Sequence, residues 1–301
     1  MPDLLTTKQV ARAIGISESS LKRWCDRGLI QTHRTAGGHR RLALCDVLSF
    51  LRQSGQKLEN PECLGMALTS GCGERCLERG RNRLFTSLTT GNEEEARQVL
   101  VDLYLSKYAL TTIIDEVITP TFCQIKTQGL SGELEIYKER MSSKTCMRLL
   151  HEMSLSLSRP AVDAPYAIGG TPSEDYFTLT LAATELVLRD MGWKANSLGA
   201  NLPFCTLHKA MEDLKPQLFW MTISHIQNVD ELVSGLKSLQ QKADEMGILF
   251  LCDGCKLSDE IIEQSQIKHP VKWMKELREI ASKIYVQHKP CEAMQIGHLD
   301  N

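Results

Sequence analysis

The stretch from Thr7 to Arg41, TKQVARAIGISESSLKRWCDRGLIQTHRTAGGHRR, constrains the fold more than any other part of the chain. Thr7 has the hydroxyl of a helix cap. Val10, Ala13 and Ile14 then recur at helical spacing and give a first helix one apolar face. Gly15 ends it, because a left-handed turn residue is least strained as glycine. Ser17 opens a second helix, with Leu21 and Trp24 inward and Ser19, Ser20, Lys22 and Arg23 outward, and Gly28 stops it. Further on, Gly37-Gly38 suits a hairpin turn, and Arg34, His39, Arg40 and Arg41 crowd its two arms with basic side chains.

Two short helices around a glycine turn, followed by a basic hairpin, are the signature of a winged helix-turn-helix. The charge distribution agrees. Residues 1–57 carry ten Lys and Arg against four Asp and Glu, a balance of +6, which leaves −8 for the rest of a chain whose total is −2. A basic head on an acidic body confines nucleic acid to one end. The segment resembles the head of the MerR family and of excisionases, above all in Gly37-Gly38-His39-Arg40-Arg41. The resemblance implies double-stranded DNA as partner. It puts Ser19, Ser20, Lys22 and Arg23 at the major groove and Arg34, His39, Arg40 and Arg41 on the phosphates. It also implies a homodimer or homotetramer on a palindromic site.

Leu44, Val47, Leu48 and Leu51 predict a third helix that closes this head at about residue 57. Residues 58–80 read as a linker of Gly, Pro, Ser and charge. It holds Cys63, Cys72 and Cys76, with no second pair at zinc-finger spacing. Across residues 81–160 the pattern is helical. Leu84, Phe85 and Leu88 form one stripe, Ala96, Val99, Leu100 and Leu103 a second behind an Asn92 cap, and Leu110 to Ile118 a third that stops near Pro120. Tyr137 to Leu157 gives one more, so the region is expected to be a four-helix bundle.

From residue 161 to 301 the period changes. Strands are expected at Tyr166–Gly169, Ala195–Leu198, Leu218–Ile223, Ile248–Cys252 and near Val271-Lys272-Trp273. Helices are expected at Glu174–Asp190, Phe204–Leu214, Val229–Glu245 and onward to Ile284. This alternation predicts a doubly wound parallel sheet, a Rossmann-like domain whose ligands bind at the carboxyl ends of the strands. The fold class is therefore multidomain α and α/β.

Head, bundle and doubly wound domain in this order resemble the cobalamin-dependent light-sensing repressors over nearly the whole chain, and the bundle resembles the cap domain of methionine synthase. The resemblance places the family's Glu-x-His-x-x-Gly on Glu174, Tyr176 and Leu179, its Ser-x-Leu strand end on Thr222-Ile223-Ser224, and its Gly-Gly loop on Asp253-Gly254. In the bundle, the family's Trp falls on Gly129 and its Glu-His pair on Glu139-Arg140. The lower cobalt ligand is thus replaced by a phenol, whose pKa of about 10 makes it a poor ligand. Leu179 stands where the nucleotide tail would pass. The resemblance implies a regulator with a cobalamin-binding-like sensory and oligomerising body that lacks histidine-ligated cobalamin. Two alternatives stay open: a working cobalamin- or tetrapyrrole-dependent sensor of light or cofactor, and a corrinoid-dependent enzyme module. A corrinoid or other small-molecule effector is the ligand class considered.

Other features narrow the class. No nucleophile elbow, P-loop or Rossmann glycine motif occurs, so no enzymatic activity is expected. Cys252 and Cys255 read as small residues at a strand end, with a redox or soft-metal pair as the alternative. His225 is a loop histidine with haem ligation as its alternative. Eleven scattered cysteines, a start that lacks a signal peptide's basic and apolar runs, and no membrane-length apolar stretch predict a cytoplasmic protein.

Overall fold

The computed structural model describes residues 4–35, 37–66, 76–157 and 159–287. The chain forms two compact units. One holds the residues up to Arg159 with Ala182–Asp190 and Trp273–Lys275, and the other holds the remainder of the described chain.

The first unit starts with strand β1 (Leu4–Thr6), a short edge that the residue pattern did not reveal, followed by helices α1 (Thr7–Ile14) and α2 (Glu18–Asp26). The cap of α1 is Thr6, not Thr7. The Thr6 hydroxyl accepts from the Gln9 amide at 3.2 Å, and the Gln9 side chain accepts from the Thr6 amide at 2.9 Å. Thr7 is buried instead, its hydroxyl donating to Glu18 at 2.7 Å. Gly15 sits at φ +74°, the left-handed turn between the helices, and Ser17 caps α2 by accepting from the Ser20 amide at 3.1 Å. Strands β2 (His33–Arg34) and β3 (Arg40–Ala43) form the hairpin, and the sheet order is β1-β3-β2, all antiparallel. Helix α3 (Leu44–Ser54) closes a core of Val10, Leu21, Leu42 and Val47.

The linker stretch opens with ordered chain. Glu59 and Asn60 donate their amides to the Ala13 carbonyl at 2.8 and 3.0 Å. A 3₁₀ turn (Pro61–Leu64) follows, with Leu58 and Leu64 buried in the head core. A head of this size buries little apolar surface on its own, so two more leucines are a material addition. Cys72 lies outside the described residues, so the Cys72 and Cys76 spacing has no structural counterpart to report.

Next come α4 (Leu77–Thr90), α5 (Glu93–Leu105), α6 (Leu110–Ile113), a π-helical turn (Ile114–Ile118), α7 (Thr119–Ser131) and α8 (Ile136–Leu155). Helix α4 packs against α5, α7 and α8. The expected stop at Pro120 does not occur. The π turn loosens the ladder just before the proline, whose missing N–H then breaks no regular bond, and the helix runs on to Ser131. Head and helices meet at α5. Val101 and Leu105 pack against the head core. Arg52 of α3 donates to the Tyr108 carbonyl at 2.8 Å and to the Tyr104 carbonyl, with its guanidinium 4.1 Å from the centroid of the Tyr104 ring.

The second unit is built on five parallel strands, β4 (Tyr166–Gly170), β5 (Lys194–Ser197), β6 (Leu218–Thr222), β7 (Leu249–Asp253) and β8 (Pro270–Val271), in the order β5-β4-β6-β7-β8. Along the chain the strands alternate with α9 (Leu179–Asp190), whose Ala182–Asp190 belongs to the first unit, α10 (Phe204–Leu214), α11 (Val229–Met246), α12 (Asp259–Ser265) and α13 (Met274–Gln287), whose first two residues also belong to the first unit. All five residues of β6 are buried, as its continuous apolar run predicts for a central strand. Helix α9 starts at Leu179 rather than Glu174, so the preceding residues form a loop at the carboxyl end of β4. Among the described residues, no helix is long and apolar enough to cross a membrane.

Candidate nucleic-acid interface and the crevice of the parallel sheet

On α2, Leu21 is fully buried and Trp24 packs on Phe50 of α3 with ring centroids 5.1 Å apart. This turns Ser19, Lys22 and Arg23 to solvent. The serines are organised around the cap: the Ser17 hydroxyl lies 2.9 Å from those of both Ser19 and Ser20. Arg23 reaches Ser20 at 3.5 Å. On the hairpin, Arg34 and His39 are exposed, and Arg41 is half-buried with its guanidinium donating to the Arg40 carbonyl at 3.0 Å.

Arg40 differs from the rest. Its guanidinium turns toward α2, donating to the Lys22 carbonyl at 3.2 Å and pairing with the Asp26 carboxylate. Glu18, Lys22 and Asp26 stand four residues apart along one face of α2, and that face meets the hairpin across a cleft of about 410 Å³. Lys22 also pairs with Glu18 at 3.0 Å. The Thr7 hydroxyl and Lys22 together hold the Glu18 carboxyl below its usual range. Sequence reasoning had not singled out Asp26. The signal available was its spacing from Glu18 and Lys22.

In the second unit the strand order reverses between β4 and β6, the topological switch point at which doubly wound sheets bind ligands. The loops at that point are tied together by Asp175, which is fully buried. Its carboxylate accepts from the amides of Ser224 at 2.5 Å, His225 at 3.0 Å and Phe177 at 3.1 Å. The Thr171 hydroxyl donates to the Asp175 carbonyl at 2.5 Å. Asn201, at φ +58°, receives the Glu174 amide at 2.8 Å and donates to the Tyr176 hydroxyl at 3.1 Å. Three strand-end loops thus satisfy one another.

The residues that the family resemblance singled out can now be placed. Glu174 is exposed at φ +65°, Tyr176 is 64% exposed with its hydroxyl on Asn201, and Leu179 is buried. Thr222, Ser224 and Asp253 are buried at the ends of β6 and β7. The backbone of Gly254 lies so close to Ile223 that an added Cβ would sit 2.1 Å from its carbonyl oxygen. In the first unit, Gly129 and Glu139 are neighbours, a Cβ on Gly129 falling 3.1 Å from the Glu139 carboxylate, while Arg140 is exposed. The hydroxyls of Thr222 and Ser224 and the Trp220 indole N–H are buried without a hydrogen-bond partner among the described residues. Tyr176, on which the resemblance puts the lower ligand, carries a phenol, and the buried Asp175 carboxylate holds the loop there. These residues do not fit a histidine-ligated corrinoid.

His225, the other candidate ligand, is exposed, and it is its backbone amide that is engaged. Burial pushes the Cys252 thiol well above its ordinary range, which disfavours the thiolate that redox or metal chemistry needs, and Cys255 is exposed. No group of three or more His, Cys, Asp or Glu among the described residues is placed to hold a metal ion.

The helix-turn-helix domain family matches residues 4–55. The chain carries a helix-turn-helix domain. It is 24% identical over 240 residues to the HTH-type transcriptional repressor CarA of Myxococcus xanthus, spanning 77% of this chain and 81% of that protein. It is 23% identical over 253 residues to the repressor CarH of the same organism, spanning 77% of this chain and 82% of that one. The monomethylamine corrinoid protein of Methanosarcina barkeri superposes with a TM-score of 0.59 at 13% identity, over 69% of this chain and 100% of that one, which shows a shared fold. The chain thus joins a helix-turn-helix domain and homology to two repressors with a body that shares the fold of a corrinoid protein.

Proposed function

We propose that the chain is a cytoplasmic transcriptional repressor that reads duplex DNA with a winged head and works without a histidine-ligated corrinoid. Helix α2 enters the major groove with Ser19, Ser20, Lys22 and Arg23, while the hairpin serves as the wing and brings Arg34, His39 and Arg41 to the phosphates. The observation that carries this reading is the segregation of charge, +6 on residues 1–57 of a chain at −2 overall. The helices α4 to α8 act as a four-helix bundle of the corrinoid-cap type. With the doubly wound domain they form a non-catalytic body that assembles the chain as a homodimer or homotetramer. Two heads then meet two half-sites about 34–36 Å apart on one face of the duplex.

The test is selection of duplexes from a random library on the full chain, followed by titration across salt concentrations. Tight binding is expected, with a linear fall of log K against log salt. Arg34→Ala should reduce the slope by about one, whereas Arg23→Ala should weaken binding to the selected sequence and relax specificity at its position. Failure of the chain to retain any duplex at low salt would remove the reading.

A further inference from the structure

The hairpin carries an electrostatic problem in its own register. Arg34 and Arg40 are directly opposed across β2 and β3, and so share one face of the ribbon. Like charges at such a pair destabilise a ladder. Strand β2 has only two residues, so few other bonds resist the repulsion. The turn adds the Thr35 amide to the His39 carbonyl at 2.9 Å and the His39 amide to the Thr35 hydroxyl at 3.2 Å.

Asp26 answers that problem from outside the hairpin. It takes the Arg40 guanidinium, and the other arm of the same fork reaches the Lys22 carbonyl one turn earlier on α2. Arg40 is held at 24% side-chain exposure, while Asp26 is 58% exposed. A cation at the last turn of a helix is also favoured by the helix dipole. The pairing leaves Arg34 as the member of the opposed pair with no ion-pair partner among the described residues, and it sets the hairpin against the face of Glu18, Lys22 and Asp26 that lines the cleft.

We infer that Asp26 is the positioning residue for the hairpin. Through Arg40 it fixes the hairpin on α2, so that Arg40 is a structural lock rather than a phosphate contact and Arg34 carries the backbone contact. This rests on the DNA-binding reading for its functional consequence, but the lock itself does not.

Two measurements on the full chain test it. The first is hydrogen exchange at the Thr35 amide, which needs no DNA. Asp26→Asn should speed exchange by about three- to tenfold, Arg40→Gln should speed it less because it also removes the repulsion with Arg34, and the double variant should be no faster than Arg40→Gln alone, as expected for two residues acting as a unit. The second is binding to a duplex selected on the wild-type chain. Both single variants should bind several-fold more weakly with a salt slope close to wild type, whereas Arg34→Ala should lower the slope by about one. Unchanged Thr35 exchange in Asp26→Asn overturns the inference. So does tighter duplex binding by that variant, because it would mean the carboxylate only opposes the phosphates. If the wild-type chain binds no duplex while the exchange pattern appears as expected, the DNA-binding reading fails and the lock stands.

Discussion

Asp175 and Tyr176 are adjacent in the chain and have opposite fates. The carboxylate turns inward to three backbone amides, and the phenol turns out to solvent against Asn201. A buried carboxylate is tolerated only when such donors replace water, and each charge-assisted bond is worth about 1.5–3 kcal/mol. The loop is therefore fixed in place by its own side chain. That Tyr176 carries a phenol was readable from the residue type, and the resemblance alone implies a histidine at its place. The role of Asp175 was not readable, because its partners at Ser224 and His225 lie 49 and 50 positions away. The expected outcome is a colourless protein. After mixing with adenosylcobalamin and desalting, the wild-type chain should keep no visible absorbance, and Tyr176→His should be equally colourless because Asp175 and Leu179 are still in place. Retained colour in the wild type would show that a corrinoid enters without the imidazole.

At the scale of elements, the start of α5 shows how local and distant signals combine. Asn92 caps the helix by accepting from the Glu95 amide at 3.1 Å, and Glu93, Glu94 and Glu95 oppose the dipole, as their positions in the chain predict. What those carboxylates do next is set by α8. Glu93 takes both Arg148 and Arg97, and Arg97 also grips Glu152 at 2.8 Å, stapling the two helices. Bonding to Arg148 foremost, with Arg97 adding to it, holds the Glu93 carboxyl below its ordinary value of 4.5. A group lowered on folding contributes stability above its unfolded pKa and loses it as pH falls through the folded one. Half-exposed pairs of this kind are worth about 0.2–1 kcal/mol. Glu93→Gln should thus lower the melting temperature slightly at pH 7. As pH drops below about 4.5, the wild type should lose this advantage and the two curves converge, which calorimetry at a series of pH values measures. Curves that stay parallel would assign the staple no part in stability. The continuation of the helix through Pro120 belongs to the same scale. The residue types predicted a stop, and only the π turn before it removed the need for one.

For the molecule as a whole, the decisive contact described is the one between the head and α5 in the first unit. Arg52 joins two carbonyls and an aromatic face at once, a geometry open to a planar guanidinium and closed to an ammonium. Arg52→Ala should speed exchange at the Gly55 amide, which closes α3 by donating to Leu51 at 3.0 Å, and should cost about 2 kcal/mol in denaturant unfolding. Arg52→Lys should recover little of it. An unchanged exchange rate would mean that Val101 and Leu105 hold the head by apolar packing alone. Taken by itself, the sequence determined the features whose causes lie within a few residues: the glycine turn between α1 and α2, the caps at Ser17 and Asn92, the alternation that makes a parallel sheet, and the segregation of basic charge into the head. Only the tertiary structure decided that Arg40 belongs to Asp26, that Asp175 fixes the loop at the switch point, and that Arg52 ties the head to α5. The physical reason is the same in each case. Side-chain charge is legible in the chain, but its partner is chosen by which backbone groups the fold brings within about 3 Å, and that distance has no signature in residue order.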